Sequence, residues 1–260
     1  MAMELTLAIS PCPNDVFTFS GLLTGAVTDP DLTFDVTFLD VQAANEAALR
    51  GDFDLIKISY AAFPALAQAY ELLESGGALG NQCGPLLLRN GAGAFDPTRE
   101  VLVPGAQTTA NFLLDYFVGQ PLQKRFLPFD TLYDELRANP GAQGVVIHEK
   151  RFVYAADGLT LLQDLGEHWE AKTGFPIPLG AIILRRGTAA PTRITGLIRA
   201  SLAWANAHHQ EALALCRKHA QDLSEGVIEA HIRLYVNHYS EDLGQEGQAA
   251  VEYFFSQIQH

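Results

Sequence analysis

Along this chain, short apolar segments with strand character alternate with segments whose apolar residues recur at helical spacing, and this pattern constrains the fold most. Leu5 to Ile9, Phe34 to Leu39, Leu55 to Ile58 and Gly84 to Arg89 read as strands. A helix carrying Phe17, Phe19, Leu22 and Leu23 follows the first, Gln42 to Arg50 follows the second, and Pro64 to Ala69 the third. Strands separated by helices predict a parallel sheet with right-handed crossovers. A second series repeats the pattern, with strands at Val101 to Val103, Lys124 to Leu127 and Gly144 to Ile147. Its helices are expected at Thr109 to Val118, Leu132 to Ala138, Phe152 to Ala156 and Asp164 to Lys172. After a last strand, Leu179 to Leu184, the chain is purely helical from Pro191.

Two composition breaks, Asn90 to Ala94 and Gly174 to Pro178, bracket the second series. They predict a discontinuous first domain, residues 1–91 and 177–260, and a continuous second domain, residues 92–176. Two connecting segments between lobes allow closure around a ligand. Ligands in such architectures sit at the domain interface and at the carboxyl ends of strands.

Composition narrows the partners. A formal net charge of −13 and the lack of any basic block exclude a nucleic-acid partner. No stretch approaches the roughly 18 apolar residues of a membrane span. The opening residues, Met1 to Leu5, lack a basic n-region and an apolar core, which predicts a cytoplasmic protein without a secretory signal. Cys12, Cys83 and Cys216 are odd in number and widely spaced, so they read as reduced thiols and not as a metal site. No metal or cofactor is expected, and no oligomeric state is predicted.

The predicted strand ends carry a recurrent polar set. Ser10-Pro11-Cys12-Pro13-Asn14-Asp15 follows the first strand, with Asn14 or Asp15 placed to cap the next helix. Lys57 lies in the third strand, and Ser59-Tyr60 follows it. Gly105 to Asn111 offers Thr108 and Thr109 at a fresh helix N-terminus, suited either to plain capping or to a carboxylate. A phosphate loop would require GxxxxGK[ST], which is absent. His148 follows a fully apolar strand, which puts an imidazole with near-neutral pKa at the sheet edge as a candidate general base. A Cys12–His148 nucleophilic pair is conceivable, but a small thiol between two prolines reads first as packing. Glu149 is a weaker candidate for orienting the ring. His168, His208, His209, His219, His231, His238 and His260 fall on helical patterns or at the end and read as structural or solvated.

These residues resemble the 1,4-dihydroxy-6-naphthoate synthases of the futalosine route to menaquinone. The opening hexapeptide with Phe17 and Phe19, Lys57 to Tyr60, Gly77 to Gly80 and Gly84-Pro85-Leu86 carry the resemblance. So do Thr108 to Asn111, Ile147-His148-Glu149, Leu165-Gly166-Glu167 with Trp169, and Gly174 to Gly180. The order is collinear from residue 5 to about residue 186, and the hexapeptide together with Ile147-His148-Glu149 is the specific part. Val16 stands where threonine is commoner, and Gln82-Cys83 where small residues are typical.

The resemblance implies a two-lobed α/β fold like the type II periplasmic binding proteins, with a helical C-terminal tail. It implies cleavage of cyclic dehypoxanthine futalosine to a dihydroxynaphthoate and a sugar-derived fragment. His148 would be the base, with Ser59, Thr108 and Thr109 lining the cleft. The substrate-binding set read from the strand ends is Ser10, Asn14, Lys57, Ser59, Tyr60, Thr108 and Thr109, around a small-molecule carboxylate. Two other readings share the fold: a chorismate dehydratase of the same pathway, and a non-catalytic solute-binding protein. The missing export signal counts against the second.

Overall fold

The computed structural model describes residues 2–220 and 223–258. The chain begins with β1 (Met3–Ile9), α1 (Pro13–Leu23), β2 (Leu32–Phe38), α2 (Val41–Arg50), β3 (Leu55–Ser59), α3 (Phe63–Leu66), β4 (Tyr70–Leu72) and β5 (Ala78–Gly80). Next come β6 (Leu86–Asn90), β7 (Val101–Val103), α4 (Thr109–Val118), β8 (Lys124–Phe126), α5 (Phe129–Ala138), β9 (Gln143–Val146), β10 (Leu159–Asp164) and α6 (Leu165–Thr173). It ends with β11 (Ile177–Arg185), α7 (Pro191–Ala207), α8 (His209–His219), α9 (Glu225–Tyr235), α10 (His238–Glu241) and α11 (Gly244–Ile258). Single 3₁₀ turns occupy Tyr60–Ala62 and His148–Phe152.

Two sheets result. The first has the order β2-β1-β3-β11-β4, with β5 also on β11; the second has the order β10-β6-β9-β7-β8. Every residue of β3 is buried, as a central strand covered on both faces requires. Helix ends follow local chemistry. Asp40 and Asp164 cap α2 and α6 through their carboxylates, and Gly51, Gly119 and Gly174 end α2, α4 and α6 in the left-handed conformation.

The sheets are mixed, where a parallel arrangement was expected. β1, β2 and β3 are parallel, as are β7, β8 and β9. β11 runs antiparallel to β3, β4 and β5, and β6 antiparallel to β9 and β10. The reversed strands, β6 and β11, are those that enter from the other sheet. β6, which a boundary at 91/92 would leave with the first lobe, pairs in the second sheet. Gly91 to Gly93 form a bend on the way to β7. The helix expected at Phe152 to Ala156 is instead the 3₁₀ turn at His148–Phe152 followed by turns, and β10 occupies a segment with no strand prediction.

The two connections between sheets touch. A Cβ on Gly84 would lie 2.4 Å from Gly166 Cα, and one on Gly166 would lie 2.7 Å from Gly84 Cα. Leu165 N–H donates to Pro85 C=O beside this contact at 3.0 Å. Backbone cannot yield as a flexible side chain does, so Gly84→Ala is expected to destabilise by about 3 kcal/mol, the upper end for overpacking. Gly196, in α7, has open space where its Cβ would go. Gly196→Ala should therefore stabilise by about 0.5–1 kcal/mol. Denaturant midpoints of the two variants check the pair.

α11 spans the seam between lobes. Phe254 packs edge-on to Phe112 of α4 at 4.8 Å and to Trp169 of α6 at 5.5 Å between ring centroids.

Candidate active site

Asp15 organises the entry to α1. Its carboxylate accepts from Ser10 N–H (3.2 Å), Ser10 Oγ–H (2.7 Å), Asn14 Nδ2 (2.8 Å) and Lys57 Nζ (2.8 Å). Lys57 Nζ also donates to Gly76 C=O at 2.8 Å. Neither Asn14 nor Asp15 caps the helix. Cys12 is the N-cap and Pro13 the first helical residue, so both polar side chains fall inside the first turn and bond inward. The turn, the end of β1 and the middle of β3 are thus tied by one buried ion pair.

The other strand ends are built similarly. Ser59 receives a bond on Oγ from Asn45 Nδ2 (3.1 Å) and donates its N–H to Asn45 Oδ1 (2.8 Å). Thr108 caps α4, its Oγ1 accepting from Asn111 N–H at 3.2 Å and donating to Gly105 C=O at 2.8 Å. Thr109 Oγ1 donates to Leu179 C=O at 3.1 Å, joining α4 of one lobe to β11 of the other. Both hydroxyls are therefore engaged. With the Asn111 N–H taken by the Thr108 cap, the Thr109 and Ala110 N–H groups are the ones at the start of α4 without an intrahelical acceptor.

His148 opens the 3₁₀ turn after β9 with φ of 56°, the left-handed region that a non-glycine residue seldom adopts. Its Nδ1 lies 3.6 Å from Cys12 Sγ, and its ring meets Phe129 edge-on at 5.2 Å. Burial lowers the ring below the ordinary imidazole value, against the opposing pull of Glu149, Asp15, Asp40 and Asp130. Burial, then the Glu149 carboxylate, push the Cys12 thiol far up, so a thiolate–imidazolium pair is disfavoured. Arg151, in the same turn, fixes it to the connections. Its guanidinium donates to Gly84 C=O (2.6 Å), Gln82 C=O (2.8 Å) and Asp164 Oδ2 (2.6 Å).

These groups surround a cleft of about 750 Å³, part of it open to solvent. Ser10, Asn14, Lys57, Ser59, Thr108, Thr109 and His148 all line it. Tyr60 does not. It starts the 3₁₀ turn after β3 and is fully buried in the main core, 6.2 Å from Phe255 between ring centroids. His231 of α9 lines the cleft instead, a position that sequence reasoning assigned to structure. Its Nε2 donates to Asn14 Oδ1 at 3.0 Å, and its ring lies within 11° of parallel to that of His148, at 6.5 Å. Burial and the neighbouring His148 hold it well below the usual imidazole range, so it is neutral. The signal was a histidine on the same helical face as Ile228, Ile232 and Tyr235, all buried. His260 lies outside the described residues. Among the described residues no group of three or more His, Cys, Asp or Glu side chains is placed to hold a metal ion, and no helix is long and apolar enough to cross a membrane.

The cleft sets the His148 imidazole opposite a helix N-terminus, over an apolar floor that includes Ile58, Ala78 and Leu179. A family profile described as menaquinone biosynthesis matches residues 5–260. The chain belongs to that family. It is 42% identical over 257 residues to a 1,4-dihydroxy-6-naphthoate synthase of Streptomyces coelicolor, covering 96% of this chain and 91% of that protein. A protein of the same name from Thermus thermophilus is 41% identical, covering 98% and 94%. Among solved structures, a protein from Archaeoglobus fulgidus superposes with a TM-score of 0.92 at 25% identity, over 98% of this chain and 97% of that one. The alkanesulfonate-binding protein of Xanthomonas axonopodis pv. citri matches with a TM-score of 0.69 at 13% identity, over 98% and 93%, and shows the fold alone. The menaquinone-family chain thus has the two-lobed fold of periplasmic binding proteins.

Proposed function

We propose that this chain is a 1,4-dihydroxy-6-naphthoate synthase, a lyase that cleaves cyclic dehypoxanthine futalosine with His148 as general base and no cofactor. The observation that carries the reading is the placement of His148. In the neutral imidazole at the cleft wall, Nδ1–H donates to the Cys12 sulfur 3.6 Å away, which leaves Nε2 bare to take a proton. The substrate carboxylate is assigned to the Thr109 and Ala110 N–H groups at the start of α4, where the helix dipole favours an anion. Apolar residues between these poles suit a flat bicyclic ring. Lobe contact across Thr109 and Leu179 helps to exclude water from the reacting centre. The names of the curated relatives favour this reading over a chorismate dehydratase.

The test is direct. Purified protein incubated with cyclic dehypoxanthine futalosine should generate naphthoate absorbance, and turnover of chorismate in its place would reject the assignment. Cys12→Ala should retain turnover within a few-fold, because the thiol is not the nucleophile; complete loss in a folded variant would reverse that.

The pH profile has a defined sign. Only the neutral ring accepts a proton, and burial lowers its pKa from 6.5. kcat/KM should therefore be flat above pH 6.5 and fall on an acid limb centred below it. Glu149→Gln removes a charge that favours the protonated ring, so the limb should move further toward acid. A limb moving toward neutrality would contradict the electrostatic account.

A further inference from the structure

A second chamber of about 790 Å³, part of it open to solvent, adjoins the cleft and shares Ser10, Val41 and His148 as a common wall. Its wall carries more charged side chains than the first. Asp40, Asp130, Glu149, Lys150 and His219 face it. Asp130, in the first turn of α5, makes no hydrogen bond or ion pair with any described residue. Glu149 is buried, with Lys150 Nζ at 3.6 Å from its carboxylate. The Asp40 carboxylate spends Oδ1 on the N–H groups of Gln42 and Ala43.

We propose that this second chamber is the subsite for the hydroxyl-rich, sugar-derived part of the substrate, and that His148 stands where it meets the chamber for the aromatic part. The proposal rests on the functional reading above. Carboxylates accept hydrogen bonds from vicinal hydroxyls and the Lys150 ammonium donates to them, a set suited to a polyol. Asp40, Asp130 and Glu149 set against Lys150 repel a second carboxylate, which directs the anionic ring toward α4. A reaction that separates a naphthoate from a sugar fragment breaks a bond between the two parts, and the base belongs beside that bond. His148 is the one titratable side chain common to both chambers.

The test compares substrate with product, because the product occupies only the first chamber. Steady-state rates on cyclic dehypoxanthine futalosine and inhibition by 1,4-dihydroxy-6-naphthoate would be measured for the wild type, Asp130→Asn and Lys150→Met. The measurements belong on the alkaline plateau, where shifts in the His148 pKa no longer act. Each variant should lose about tenfold or more in kcat/KM, the loss of a charge-assisted hydrogen bond, with the product's inhibition constant unchanged. Asp130 is exposed, so its variant should keep the wild-type melting temperature. Equal losses for substrate and product, or no loss for either, would overturn the subsite. A wild type without turnover would overturn the functional reading itself, and the subsite with it.

Discussion

His148→Asn is expected to bind substrate as the wild type does and to turn it over about 100- to 10,000-fold more slowly, the usual contribution of a positioned base. Asparagine is the appropriate replacement for two reasons. Its amide is close to the near half of the imidazole in size but does not take up a proton at neutral pH. It also tolerates the left-handed backbone that this position imposes, with φ of 56°. A folded state as stable as the wild type is therefore expected, and a loss of activity would not reflect unfolding. Binding can be followed by calorimetry with substrate, and turnover by naphthoate absorbance. Near-normal turnover would end the assignment of His148, and loss of binding would make the residue a positioner of substrate.

The second large effect is on stability. Lys57→Met should destabilise the protein by about 3–5 kcal/mol, because it strands the Asp15 carboxylate in a site with almost no exposure. The remaining donors to Asp15, from Ser10 and Asn14, are neutral and do not replace the ammonium at 2.8 Å. The double variant Asp15→Asn, Lys57→Met should recover at least half of the loss, since no buried charge remains. Denaturant midpoints give both values. A single variant within 1 kcal/mol of wild type would show that water reaches Asp15, and the ion pair would lose its structural role.

Much of the site was readable because parallel strands deliver their carboxyl ends to one edge. Ser10 and His148 follow strands, Ser59 ends one, Thr108 closes the loop after another, and the fold brings them to one cleft. Tyr60 failed by one position. Ser59 ends β3, and the 3₁₀ turn that follows aims the next ring into the core, a change of direction that residue types do not encode. Asn45 and His231 were missed because they come from helices. Their roles depend on which helix face meets the strand ends, which is fixed only by packing. Asp15 was read as a cap because its partner Lys57 lies 42 residues away. The connections between sheets were misplaced for a related reason. The glycine-rich stretch at Asn90 to Ala94 is the more conspicuous signal, while Gly84 and Gly166 are single glycines whose importance arises from touching each other.

That contact has a mechanical consequence. Two connections that meet backbone to backbone act as one fulcrum, so rotation of one lobe on the other has its axis passing near a single point. Arg151 spans Gln82, Gly84 and Asp164 at that point and lies in the turn that holds His148. His148 opens the same short turn, three residues before Arg151. Rotation about that point would open the far rim of the cleft more than the turn that carries His148.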